Sequence, residues 1–174
     1  MTWVPRTLGD LLDPERTALL VYDMQVGITR QVSDGPAVVE RCAALLEAAR
    51  SAGMRVAYTR HLSSPKAWMG ATQLRTGMAW QRKTDPAEVT PWFLRGSEAM
   101  EIVPELAPRD DELVFDKLAM SALEGTPLAY ALHDCGLTGL AICGIALEIG
   151  IEPTIRHATD LGFVPILIED ACGA

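Results

Sequence analysis

The stretch Leu140–Arg156, LAICGIALEIGIEPTIR, decides how the rest of the chain is read. An apolar run over Leu140–Cys143 meets Gly144 and passes into a helix-like segment with almost no spacer. Strand, tight turn and helix in direct succession form the unit of an open parallel sheet. Ligands of such sheets sit beyond the carboxyl ends of the strands, against the amino ends of helices. N–H groups at a helix start can hold an anion or an oxyanion there.

Working outward, the same pattern recurs. Thr17–Tyr22 (TALLVY) is a continuous apolar run that reads as a strand buried on both faces, closed by Asp23. Val39, Cys42, Ala43, Leu46 and Ala49 carry helical spacing within 38–52, and Gly53 stands where a C-cap belongs. Met54–Thr59 is a second strand and Glu112–Asp116 a third, ending at Lys117. Thr126–Cys135 and Glu148–Leu161 are helices stopped by Gly136 and Gly162, and Phe163–Glu169 is the fifth strand. Residues 1–16 read as an irregular lead-in, and 97–106 as a short helix.

This alternation predicts an α/β fold with a parallel, doubly wound sheet and right-handed crossovers. One domain over 1–174 is expected, without repeats or low-complexity segments. A doubly wound domain covers its last strand with a further helix, so a continuation beyond Ala174 is expected. Residues 60–98 interrupt the pattern. They mix Pro65, Pro86, Pro91, Gly70, Gly77 and Gly96 with Trp68, Trp80, Trp92 and Phe93. An irregular excursion this long is expected to act as a lid or an interface.

The net charge of −8 argues against bulk attraction to nucleic acid or to an anionic membrane. No apolar run approaches the roughly 18 residues of a membrane span, and a cytoplasmic location is expected. The four cysteines form no CxxC pair and no zinc-like spacing with histidine, which fits a reducing compartment.

A parallel sheet delivers its strand ends to one edge. Here those ends carry Asp23, Lys117, the Gly144–Gly150 turn, and Asp170 with Cys172. An aspartate and a lysine meeting in a partly dry pocket stabilise each other's charge. They can serve as a proton-transfer pair, or simply as a structural ion pair.

Three motifs in order resemble the isochorismatase-like hydrolases, the cysteine hydrolase superfamily. They are YDMQ at 22–25, DKLAMSALEGTPL at 116–128 and CGIALEIGIEPTIRHATDLGF at 143–163. The resemblance implies a three-layer α/β/α, Rossmann-like fold and a homo-oligomer, a dimer or tetramer. It also implies hydrolysis of a small molecule, in most members an amide, by an Asp, Lys and Cys triad. Asp23 and Lys117 match the first two members of that triad. The cysteine of the motif falls on Gly150. A hydrogen atom cannot replace a thiolate, so covalent thioester chemistry at this position is excluded.

Three readings stay open. The chain hydrolyses a vinyl ether of isochorismate type, with Asp23 as general acid and Lys117 in support. It hydrolyses another small substrate with water as nucleophile. Or it is a non-catalytic binding protein, a pseudo-enzyme of the amidase family. Cys143 reads as inert core, and Cys172 is the one thiol placed to substitute. The resemblance places a cis peptide at Ile145–Ala146 and an oxyanion hole at the N–H groups of Ala146 and Gly150.

Of the remaining residues, Gln25 either binds substrate or fixes its loop. Trp68, Trp92, Trp80 and Phe93 line the pocket mouth or pack the excursion. Arg60, Arg75, Arg82 and Arg95 bind a substrate carboxylate or decorate the lid. His61 lacks the partners of the zinc site found in nicotinamidases, so no metal and no cofactor is expected. It reads as a surface or capping residue, His157 as packed or exposed, and His133 as a helix-end cation.

Overall fold

The structure is a computed structural model and describes residues 4–174. Five strands form one sheet: β1 (Thr17–Tyr22), β2 (Arg55–His61), β3 (Leu113–Lys117), β4 (Gly139–Ile145) and β5 (Val164–Gly173). All four pairings are parallel, in the order β3-β2-β1-β4-β5. The helices are α1 (Leu8–Leu11), α2 (Val26–Thr29), α3 (Gly35–Ser51), α4 (Ala71–Gln81), α5 (Leu128–Asp134) and α6 (Glu152–Asp160).

The two cores follow from the two-residue period of a strand. Leu19 and Val21 of β1 point to one face, where Cys42 and Leu46 of α3 pack on them. Ala18, Leu20 and Tyr22 point to the other, against Leu128 and Leu132 of α5 and Ala158 of α6. Both faces are covered, which is why β1 and β4 are buried at every position. The result is the three-layer α/β/α arrangement expected from the sequence.

Several expectations change in detail. The lead-in contains α1, nucleated by a capping box in which Thr7 and Asp10 satisfy each other's backbone N–H groups. The 60–98 excursion is not wholly irregular, because α4 lies within it. Its sequence lacks a clean apolar stripe, so periodicity did not reveal it. Lys66 Nζ clamps this segment by donating to the carbonyls of Pro86 (2.5 Å) and Val89 (2.6 Å). The Gln81 side chain pairs with Thr90 in both directions, at 2.7 and 3.0 Å. The short helix expected over 97–106 is two 3-10 turns, Glu98–Met100 and Pro104–Leu106. The Glu148–Leu161 helix opens with a π-helical turn, Leu147–Ile151, before α6.

Candidate active site

Strand order reverses between β1 and β4, and their carboxyl ends diverge into a crevice at that switch point. A cavity of about 280 Å³ fills it. Asp23 follows β1, Lys117 ends β3, His61 ends β2, Ile145 ends β4, and Ala146, Glu148, Ile149 and Gly150 follow it; all reach this one cavity.

Asp23 adopts φ 47°, a left-handed conformation that few residues other than glycine hold. Its N–H donates to the Thr59 carbonyl at 3.1 Å, which ties the turn to β2. The carboxylate accepts from Thr59 Oγ1 at 2.8 Å and from Lys117 Nζ at 2.7 Å. Lys117 also donates to the Ala119 carbonyl at 3.2 Å and lies 4.4 Å from the Tyr22 ring centroid. Asp23 and Lys117 are both buried. A buried ion pair of this kind is tolerable because each partner neutralises and hydrogen-bonds the other.

Gly150 faces the cavity with no side chain, and the neighbouring space is taken. A Cβ built at Gly150 would lie 1.8 Å from the Tyr22 hydroxyl and 2.4 Å from Cζ. The Tyr22 hydroxyl donates a very short hydrogen bond to the Met120 carbonyl. Burial, and then the negative charge of Asp23 beside it, push the phenol's pKa far up, so it holds its proton. Gly144 is likewise obligatory: at φ 128° its Cβ would approach the Tyr22 carbonyl to 2.1 Å.

The Ile145–Ala146 peptide is cis, and both residues line the cavity. The expected oxyanion hole is changed by the π turn. The Gly150 N–H donates to the Ala146 carbonyl at 3.1 Å, and the Ile151 N–H to the same carbonyl at 3.2 Å. Winding that turn captures the Gly150 donor inside the backbone.

The other expected site residues separate into two groups. Trp92 lines the cavity, together with Trp80, Phe93 and His61. Trp68 does not: it is 81% exposed on a 3-10 turn before α4, while Trp80 on α4 reaches the cavity wall. Gln25 is fully buried with its amide engaged by backbone. Nε2 donates to the carbonyls of His61 (3.1 Å) and Met100 (3.2 Å), and Oε1 accepts from the His61 N–H at 2.5 Å. These bonds tie its loop to β2 and to the 3-10 turn at Met100, and Gln25 is not among the cavity-lining residues.

Arg60, Arg75, Arg82 and Arg95 do not line the cavity either. Arg60, on β2, and Arg95, in the 60–98 excursion, pair with Asp116 of β3 at 2.8 and 3.2 Å. Cys172 is also outside the cavity lining. Its Sγ bonds the Ile168 carbonyl at 3.3 Å, and burial raises its pKa to about 11, so it is a thiol at neutral pH.

His61 and Tyr22 are the residues that reading the sequence undervalued. His61 packs edge-on against Phe93 and Trp80, at ring-centroid distances of 5.6 and 6.3 Å. Burial, aided by Lys117, lowers its pKa and keeps the imidazole neutral. A tyrosine ending a doubly buried strand, one residue before the key aspartate, is the signal that could have marked Tyr22.

Comparison with known proteins gives the family and the fold. The chain is 28% identical to a ureidoacrylate amidohydrolase of Acinetobacter baylyi, over 92% of this chain and 72% of that protein. A solved cysteine hydrolase from Pseudomonas syringae pv. phaseolicola superposes with a TM-score of 0.78 at 27% identity, over 92% of this chain and 74% of the other. An N-carbamoylsarcosine amidase from Thermoplasma acidophilum shares the fold, with a TM-score of 0.77 at 23% identity over 91% and 84% of the two chains. The isochorismatase domain model matches residues 17–174, and the chain therefore belongs to the isochorismatase family.

Proposed function

We propose that this chain hydrolyses a small molecule without a covalent enzyme intermediate, using water as the nucleophile. In this reading Gly150 stands where the family's amidases carry cysteine. Asp23 moves the proton of the reacting water, or protonates the substrate. Lys117 holds the Asp23 charge in place. One observation carries the reading: the buried Asp23–Lys117 pair opens onto a cavity whose lining includes Gly150 and no thiol among the described residues. A general acid or base in such a position contributes about 10²–10⁴-fold in rate.

The cavity also bears on the substrate. Among the described residues it is lined by no arginine, its one ammonium is already matched by Asp23, and Glu148 adds a further carboxylate. Dianions gain little attraction there. Small amides, ureides and ethers bearing at most one carboxylate fit better than isochorismate with its two, and vinyl-ether hydrolysis is the second reading.

The test is a hydrolysis screen of ureidoacrylate, N-carbamoylsarcosine, simple primary amides and isochorismate, with Asp23→Asn as control. Turnover that falls by at least about 10²-fold in Asp23→Asn supports the reading. Turnover that survives the substitution defeats it. Binding of a panel compound without any turnover favours the pseudo-enzyme alternative.

A further inference from the structure

The space beside Gly150 is filled by a side chain that carries its own exchangeable proton. The Tyr22 hydroxyl lies 1.8 Å from where a Cβ of residue 150 would be, so a side chain at 150 and the phenol cannot coexist. Tyr22 lines the cavity together with Asp23, Ile145 and Ala146. Its ring is fixed beneath the Lys117 ammonium, 4.4 Å away, and its proton is held on the Met120 carbonyl. That carbonyl is itself positioned. Two residues on, the Ala122 N–H donates to Thr154 Oγ1 at 2.9 Å, and Thr154 in turn donates to the Gly150 carbonyl at 2.7 Å. Tyr22, Met120 and Gly150 are thus locked into one arrangement.

We propose that the Tyr22 phenol takes over the thiol's place and acts as proton donor to the leaving group, making Tyr22, Asp23 and Lys117 the working set. The inference rests on the water-nucleophile reading above. For an amide, the water oxygen bonds to the carbonyl carbon while its proton passes to Asp23. The carbon–nitrogen bond breaks, and the departing nitrogen takes the Tyr22 hydroxyl proton. Asp23 then returns its proton to the phenolate, restoring both groups.

Two measurements test the proposal. Tyr22→Phe keeps the ring between Lys117 and Gly150 and removes only the hydroxyl. On a panel compound that the wild-type chain hydrolyses, kcat is expected to fall about 10²–10⁴-fold with KM little changed. An unchanged kcat overturns the acid role and leaves the hydrolase reading standing. If the wild-type chain hydrolyses nothing on the panel, the hydrolase reading and the acid role fall together.

Occupancy of the thiol's place is tested without substrate. Gly150→Ala is expected to lower Tm by about 2–12 °C in the wild-type background, through overpacking against the phenol. In a Tyr22→Val background the same change is expected to cost far less, with Tyr22→Leu repeating the cycle if Tyr22→Val does not fold. Equal losses in both backgrounds would show that the phenol does not hold that space and would overturn the proposal.

Discussion

Lys117 Nζ lies 2.7 Å from Asp23 Oδ2, with the two side chains 0% and 5% exposed. Neither charge has water to fall back on, so stability and activity respond to this pair together. Removing one partner strands the other, at about 3–5 kcal/mol. Lys117→Met and Asp23→Asn should each lower urea-unfolding stability, Lys117→Met by the larger amount because it leaves a bare carboxylate. The double variant should be more stable than Lys117→Met alone while staying inactive. Single-variant stabilities equal to wild type would mean that the pair is not buried in solution.

A second ion pair holds the opposite side of the sheet and is remote from the cavity. Arg50 Nε and Nη2 reach Glu112 at 2.8 and 2.9 Å, with side chains 11% and 6% exposed, and the Tyr58 hydroxyl joins them at 3.2 Å. Burial raises the Glu112 pKa, but hydrogen bonds from Arg50 and the Arg109 N–H outweigh it and leave the net value lowered. Arg50→Ala should cost about 3–5 kcal/mol in denaturant unfolding, with the activity of the folded fraction unchanged. A loss below about 1 kcal/mol would put this network in the class of surface pairs.

His61 makes stability depend on pH. Its folded pKa lies below the ordinary histidine value of about 6.5, chiefly because burial disfavours the imidazolium. Below pH 6.5 the unfolded chain therefore binds more protons than the folded one. Stability should fall as the pH drops from 6.5 through the lower folded value. Tm measured from pH 7.5 to 5 should show this decline, and His61→Phe, which preserves the edge-on ring contacts, should flatten it. An unaltered profile in His61→Phe would assign the decline to other groups.

The cysteines should be bystanders. Cys135 is exposed, Cys42 and Cys143 are buried, and Cys172 is a half-buried thiol with a raised pKa. Iodoacetamide at pH 7.5 should label Cys135 first, and peptide mapping should find Cys172 largely unmodified. Any turnover found in the screen should survive that labelling. Inactivation that tracks modification of Cys172 would restore a thiol to the mechanism.

The legible parts of the site are those tied to strand ends. Asp23 and Lys117 could be paired from sequence because each directly follows or ends an apolar run, and parallel strands bring such ends to one edge. Gly150 was legible as a departure from a motif. The 60–98 excursion was not: Trp68 and Trp80 look alike in sequence, yet Trp80 on α4 lines the cavity and Trp68 on the preceding 3-10 turn is exposed. Gln25 looked able to bind substrate, yet its amide is consumed by three backbone groups from distant segments. Arg60, Arg75, Arg82 and Arg95 looked able either to bind a carboxylate or to lie idle on the surface, and Asp116 pairs with Arg60 and Arg95.

The apolar runs and their spacing were enough to determine the parallel sheet, its two buried faces and the edge that carries polar groups, because burial acts on each segment locally. What only tertiary structure decided is what stands beside the empty position at 150. Tyr22 and Gly150 are 128 residues apart in the chain and belong to different elements. No local preference records that the hydroxyl of one lies 1.8 Å from the missing Cβ of the other. Dense packing where β1 and β4 end makes that exclusion.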